Sequence, residues 1–327
     1  MRKFGKIVSY LILVIDFTVL MGFMVEGESS AAGDPAANKE ILRRALDDFW
    51  NQRDVGAIDE LYATDYLGHD PNGLHGATLE EFKQSAAGLF IAFPDFHLTI
   101  DDEVAEGDKV VKRWTVTGTH RGELMGIPPT EKHITITGVN FYRIADGKIV
   151  ETWWSSDALG MLTQLGVIPP MGREDFTWGA PSAVTGDPGD LVANKDIVHR
   201  YIEEVWNQKN LDVLDELMST DVINHSPARY ELGLEAHKQV MSTYLTGFPD
   251  IHTTADDLIA EGDKVVNRWT ATGTHQGELM GVPATGKKVA WTGITMVRFA
   301  DGKIVEMWWS YDVLGILQQI GVIPMPG

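Results

Sequence analysis

Between residues 38 and 52 (NKEILRRALDDFWNQ), apolar side chains fall at Ile41, Leu42, Ala45 and Phe49, a spacing of three and four that predicts a helix with one buried face. A shorter helical pattern follows in VGAIDELY, residues 55–62. Thr78 and Glu81 stand at capping-box spacing, so a third helix is expected to begin near Thr78. Past Phe93-Pro94-Asp95 the period shortens to two. The Val- and Thr-rich runs 109–120 and 133–144, followed by 148–157, read as strands. Ala145-Asp146-Gly147 between the last two is a hairpin turn, with glycine at its left-handed position. A final short helix is expected to end at Gly166, with Pro169 three residues beyond.

From residue 191 the same order starts again, with nearly the same letters. EGDKVVKRWTVTGTHRGELMGIP at 106–128 returns as EGDKVVNRWTATGTHQGELMGVP at 261–283, and IVETWWSSDALGMLTQLGVIPP at 149–170 as IVEMWWSYDVLGILQQIGVIPM at 304–325. The offset is 155 residues through the strands and 156 at the first helix, where Trp50 matches Trp206. A period of this length is a duplicated domain and not a solenoid repeat. The Gly-, Pro- and Asp-rich segment 171–190 reads as a linker between units at 36–170 and 191–327. Helices followed by a strand meander predict the α+β class: two tandem cone-shaped domains, each a curved antiparallel sheet wrapped around helices. A constant offset through every strand predicts that the two sheets face each other as an intramolecular pseudo-dimer.

Composition narrows the function. A net charge of −20 lacks the clustered cations that a phosphate backbone requires, so no nucleic-acid partner is expected. The 327 residues contain no cysteine, which removes disulfides, thiol catalysis and Cys-zinc sites. No His spacing suits a metal, so no metal site is expected. Arg2, Lys3 and Lys6 precede an apolar run from Ile7 to Val25, and small residues follow in GESSAAG. That order predicts a signal peptide over residues 1–32, with export to a periplasmic or extracellular space. If the segment is retained, it would anchor the chain; no later segment reads as a membrane span.

The run GTHRGELMGIPPT, with ITGVNFYRIADGKIVETWWSSDALGMLTQLG and its second copy, resembles the SnoaL-like polyketide cyclase (ester cyclase) family of the cystatin-like cone-barrel superfamily. The resemblance spans essentially all of both repeats. It implies aldol-type ring closure of an ester without cofactor, and it implies an Asp at the end of the last strand as acid/base. By position these are Asp157 and Asp312. A helix N-cap explains the same two residues without any catalysis. Strand alternation groups Trp153 with Asp157, and Trp308 with Asp312. The expected pocket therefore takes Trp153 and Trp308 as walls. His120 and His275, at strand ends, and His69 and His225, near the mouth, complete it. Each unit is expected to work on a small apolar carbonyl-bearing ligand. A non-catalytic binding protein using the same pocket is the alternative. Arg113 and Arg268, mid-strand, read as structural ion-pair partners.

Overall fold

A computed structural model describes residues 33–69, 75–169, 184–226 and 230–323. The expected signal segment 1–32 lies outside them, as does most of the expected linker. Among the described residues no helix is long and apolar enough to cross a membrane.

In the first unit, α1 (Pro35–Arg44) runs on as a π-helical stretch (Ala45–Asn51) and is followed by α2 (Ala57–Leu61). Then come β1 (Tyr62–His69), β2 (His75–Thr78), α3 (Leu79–Ala92), β3 (His97–Glu106), β4 (Lys109–Thr119), β5 (His133–Ala145), β6 (Lys148–Ser156) and α4 (Ala158–Gln164). The second unit repeats this as α5 (Leu191–Arg200) with a π-helical continuation (Tyr201–Asn207), α6 (Leu214–Leu217), β7 (Met218–His225), β8 (Tyr230–Leu232) and α7 (Leu234–Gly247). It closes with β9 (His252–Glu261), β10 (Lys264–Thr274), β11 (Lys288–Ala300), β12 (Lys303–Tyr311) and α8 (Val313–Ile320).

Each unit builds one six-stranded sheet, in the orders β2-β1-β6-β5-β4-β3 and β8-β7-β12-β11-β10-β9. The sheets are mixed and not purely antiparallel. β1 pairs parallel with β6, and β7 parallel with β12. These two strands, with β2 and β8, are absent from the meander expected from sequence.

Local chemistry sets the element ends. Thr78 and Glu81 form the reciprocal capping box that starts α3. Its counterpart in the second unit is Gly233, which offers no side-chain cap. Thr78→Ala should therefore cost the first unit about 1 kcal/mol in chemical denaturation; no measurable loss would show that the box is not a stabilising contact. The hairpin turns hold Asp146 and Gly147 at φ 49° and 72°, and Asp301 and Gly302 at 51° and 72°, the left-handed pair that a tight two-residue turn needs.

The two sheets meet back to back. Val104, Val111, Val139 and Phe141 of the first unit share one buried cluster with Ile259, Val266, Ile294, Met296 and Trp308 of the second. Around it the contacts are reciprocal. Lys39 pairs with Glu261 and Lys195 with Glu106, both at 2.6 Å. Lys109 pairs with Asp257, and Lys264 with Asp102. Glu261 also accepts the Ala105 N–H, and Glu106 the Ala260 N–H. This is the two-fold logic of an isologous dimer, written within one chain. Partly exposed ion pairs contribute about 0–1 kcal/mol each, so the apolar cluster carries the association and the charges fix its register.

Candidate active site

Alternation along β12 sorts its side chains. Met307, Trp309 and Tyr311 face the interior of the second cone, where they line a cavity with Tyr201, Trp206, Tyr244, Trp269 and Trp291. The cavity holds about 740 Å³ of atom-free space, counted out to its solvent mouth. Seven aromatic side chains contribute to the wall, and no Asp, Glu, Lys or Arg is among its described lining residues. Polar atoms are few. The Tyr244 and Tyr311 hydroxyls lie 2.7 Å apart, and the Trp269 indole donates to Thr295 Oγ1 at 2.9 Å. The buried Trp309 indole N–H has no acceptor among the described residues. A flat neutral guest with oxygen acceptors suits such walls.

The first cone differs inside. Phe49, Trp50, Phe82, Phe90 and Phe96 pack ring against ring there, with centroids 4.5–6.1 Å apart. The matching positions in the second unit hold Val205, Trp206, His237, Leu245 and Ile251, four of them smaller. The repeats thus share a backbone plan and differ inside, and the exchange runs both ways: Ala45, Leu89, Ile136 and Ser156 of the first unit stand where the second has the cavity residues Tyr201, Tyr244, Trp291 and Tyr311.

Even-numbered residues of β12 point the other way, to the seam between the units. Trp308 belongs to the shared cluster, with Trp153 packed against it. His225 stacks on Trp308 at 5.3 Å and 5° between planes, and His69 on Trp153 at 4.9 Å and 5°. Arg113 of the first unit lies over Trp308, and Arg268 of the second over Trp153, at 4.8 and 4.5 Å from the ring centroids. Each Trp thus binds a guanidinium from across the seam. Both arginines also pair with acids, Arg113 with Asp101 and Arg268 with Asp256 and Asp257. His69, Trp153, His225 and Trp308, expected around a ligand, sit at this seam instead. Alternation groups Trp153 with Asp157 and Trp308 with Asp312, and the face that the two tryptophans take is the contact face of the pseudo-dimer. The inward partners are Trp154 and Trp309.

At the seam Glu306, fully buried, accepts from His225 Nε2 at 2.9 Å and from Arg298 at 3.0 Å. Arg298 donates in addition to the Val184 carbonyl. The first unit builds the same trio from Glu151, His69 and Arg143, partly open to solvent.

Asp157 and Asp312 end their strands and cap the last helices. Each is buried, and its carboxylate accepts the N–H of Gly160 at 2.9 Å or of Gly315 at 2.7 Å. Asp312 follows Tyr311, which lines the cavity. His120 and His275 are buried at the cone rim. Their Nδ1 atoms face Thr130 and Thr285 Oγ1 and accept those residues' N–H groups, while Nε2 finds no partner among the described residues. Burial lowers the pKa of both below the usual imidazole range. They pack on Phe93 and Phe248.

Sequence reasoning passed over His237. It lies on α7, fully buried, with Nε2 2.9 Å from the Tyr201 hydroxyl and Nδ1 3.2 Å from the Asn224 amide nitrogen. Tyr201 and Asn224 are cavity wall. Comparing the repeats gives the signal that could have found it: the positions of Tyr201, Asn224 and His237 hold Ala45, Gly68 and Phe82 in the first unit.

Two regions of the chain, residues 40–165 and 196–320, match the profile of the SnoaL-like polyketide cyclases. The chain belongs to the SnoaL-like polyketide cyclase family. One relative is the aklanonic acid methyl ester cyclase DnrD of Streptomyces peucetius, 30% identical over 132 residues, 38% of this chain and 89% of that protein. Another is the nogalonic acid methyl ester cyclase of Streptomyces nogalater, 31% identical over 112 residues, 33% of this chain and 83% of that protein. Among solved structures, TsrD from Streptomyces laurentii is 27% identical with a TM-score of 0.39, covering 41% of this chain and 99% of its own. IdmH from Streptomyces antibioticus is 33% identical with a TM-score of 0.35, covering 39% of this chain and 98% of its own. Membership makes the chain a cyclase-like enzyme, with two SnoaL-like units where each of these relatives matches the length of one.

Proposed function

We propose that the chain is a cofactor-free cyclase whose reaction runs in the cavity of the second unit, on a neutral, flat, carbonyl-bearing ester. The aromatic-rich cavity, with no charge among its described lining residues, carries this reading, because a free carboxylate entering it would lose its hydration without gaining a cation from those walls. The two relatives named as methyl ester cyclases support an esterified substrate.

Asp312 is the acid/base in this reading: it follows the wall residue Tyr311 without itself being among the described lining residues, so the reading requires the substrate to reach past Tyr311 to its carboxylate. Its carboxylate is held in place by the Gly315 N–H at 2.7 Å, at the N-terminus of α8. As base it takes a proton from the carbon next to a carbonyl. The C–H electron pair moves onto that oxygen as an enolate. The enolate carbon then bonds to a second carbonyl carbon, and the new alkoxide recovers the proton from Asp312. Asp157 has the same cap geometry beside the ring cluster of Phe49, Phe82 and Phe90, and this reading assigns it the cap role alone.

The test is turnover. Aklanonic acid methyl ester and nogalonic acid methyl ester, incubated with the purified chain, should give ring-closed product by chromatography. Tight binding of both without product would favour the ligand-binding alternative, and no binding would remove the cavity reading.

Export stays part of this proposal, on the basic start, apolar run and small-residue order of residues 1–32. Amino-terminal sequencing of protein from its host should then find a start near Gly33; an intact Met1 on cytoplasmic protein would refute it.

A further inference from the structure

We propose that Tyr201 donates its phenolic hydrogen to the carbonyl oxygen of the ligand in the second unit's cavity, and that His237 is the residue that positions it. This rests on reading that cavity as the reaction site.

With the Asn224 amide nitrogen turned toward His237, the bonds run in one direction. The Asn224 amide N–H donates to His237 Nδ1 at 3.2 Å, so the ring proton sits on Nε2. That N–H then donates to the Tyr201 oxygen at 2.9 Å. With its oxygen serving as acceptor, the Tyr201 O–H is directed at Met241 Sδ, 3.2 Å away. A thioether is a weak acceptor, and Met241 lines the same cavity. A carbonyl oxygen arriving there is a better acceptor and takes the hydrogen over.

His237 suits this task because it stays neutral. Burial pulls its pKa down to about 4, and an uncharged imidazole can hold the phenol without placing a cation beside the cavity. A second observation is independent of these distances. All three members are replaced together in the first unit, by Ala45, Gly68 and Phe82, where the interior is packed with rings. The trio belongs to the unit whose cavity Tyr201 and Asn224 line. In the reaction above, a donor fixed in a dry site stabilises oxygen charge as the enolate forms. The proton remains on Tyr201 throughout.

The experiment uses the full chain with 2-acetylnaphthalene as probe and its hydrocarbon analogue 2-isopropenylnaphthalene as control. Binding is read by tryptophan fluorescence, and the bound ketone's carbonyl stretch by infrared difference spectroscopy. In the wild type the stretch should move to lower frequency than for the same ketone in hexane. Tyr201→Phe should lose that shift and weaken the ketone about tenfold, while leaving the hydrocarbon unchanged. His237→Phe installs the residue that the first unit already accommodates. It should broaden or reduce the shift, and His237→Gln, which can still donate to the Tyr201 oxygen, should restore it. The same carbonyl band in Tyr201→Phe as in wild type would overturn the donor assignment. Loss in Tyr201→Phe with no change in His237→Phe would overturn the positioning role. Failure of both probes to bind the wild type would instead remove the cavity reading, and this proposal with it.

Discussion

Asp312→Asn should leave the fold nearly as stable as before and cut turnover on the order of a hundredfold or more, the usual weight of a positioned acid/base. Asn still accepts the Gly315 N–H through its amide oxygen, so the cap survives, but it cannot exchange a proton. Asp157→Asn is the matched control. It makes the same change in the same bond, 2.9 Å to the Gly160 N–H against 2.7 Å to that of Gly315. The neighbouring interiors differ in their side chains, with Phe49, Phe82 and Phe90 in the first unit where the second has Val205, His237 and Leu245. Denaturation curves of the two variants should therefore agree, while steady-state rates on the methyl esters should not. Equal loss of rate in both would show that the first unit also works. Retention of the full rate in Asp312→Asn would reduce both aspartates to caps.

Glu306→Ala should destabilise the chain by about 3–5 kcal/mol, because the acceptor shared by buried His225 and Arg298 is lost in a place closed to water. Its counterpart is again the control. Glu151 is 18% exposed where Glu306 is fully buried, so water can replace its carboxylate, and Glu151→Ala should cost about 1 kcal/mol or less. Chemical denaturation followed by tryptophan fluorescence compares the two, since Trp308 and Trp153 stack on the affected imidazoles. Equal losses would show that burial does not decide the strength of these trios.

Where chemistry acts between near neighbours, the sequence was readable. Thr78 with Glu81, the Asp-Gly turns and the αL glycine that ends α8 are local events, and each lies where its letters put it. The constant offset made the duplication plain, and with it the pairing of the two units. β1 was not readable: Tyr62–His69 is a short run whose pairing partner, β6, lies some eighty residues away and runs parallel. Nor could alternation say which face of β12 looks inward. In an isolated cone one face is apolar and the other wet, but here both are buried, and Trp308 and Trp309 serve one each. His237 carried no motif. Its inward position follows from the helical stripe Leu234, His237, Met241 and Tyr244, all buried, and a histidine in that stripe becomes notable only beside the Phe82 of the other copy.

The reciprocal seam has a consequence for how such a chain can change. In a symmetric pair made from one gene, a substitution that fills the interior of one subunit fills the other as well, and activity is lost with the cavity. Joining the copies releases that constraint. Phe82 and Phe90 can pack the first interior while the second stays open, and Arg113 still reaches across to Trp308. One half is then free to accumulate stabilising substitutions that catalysis would forbid, and the other is free to keep a hollow that stability would disfavour.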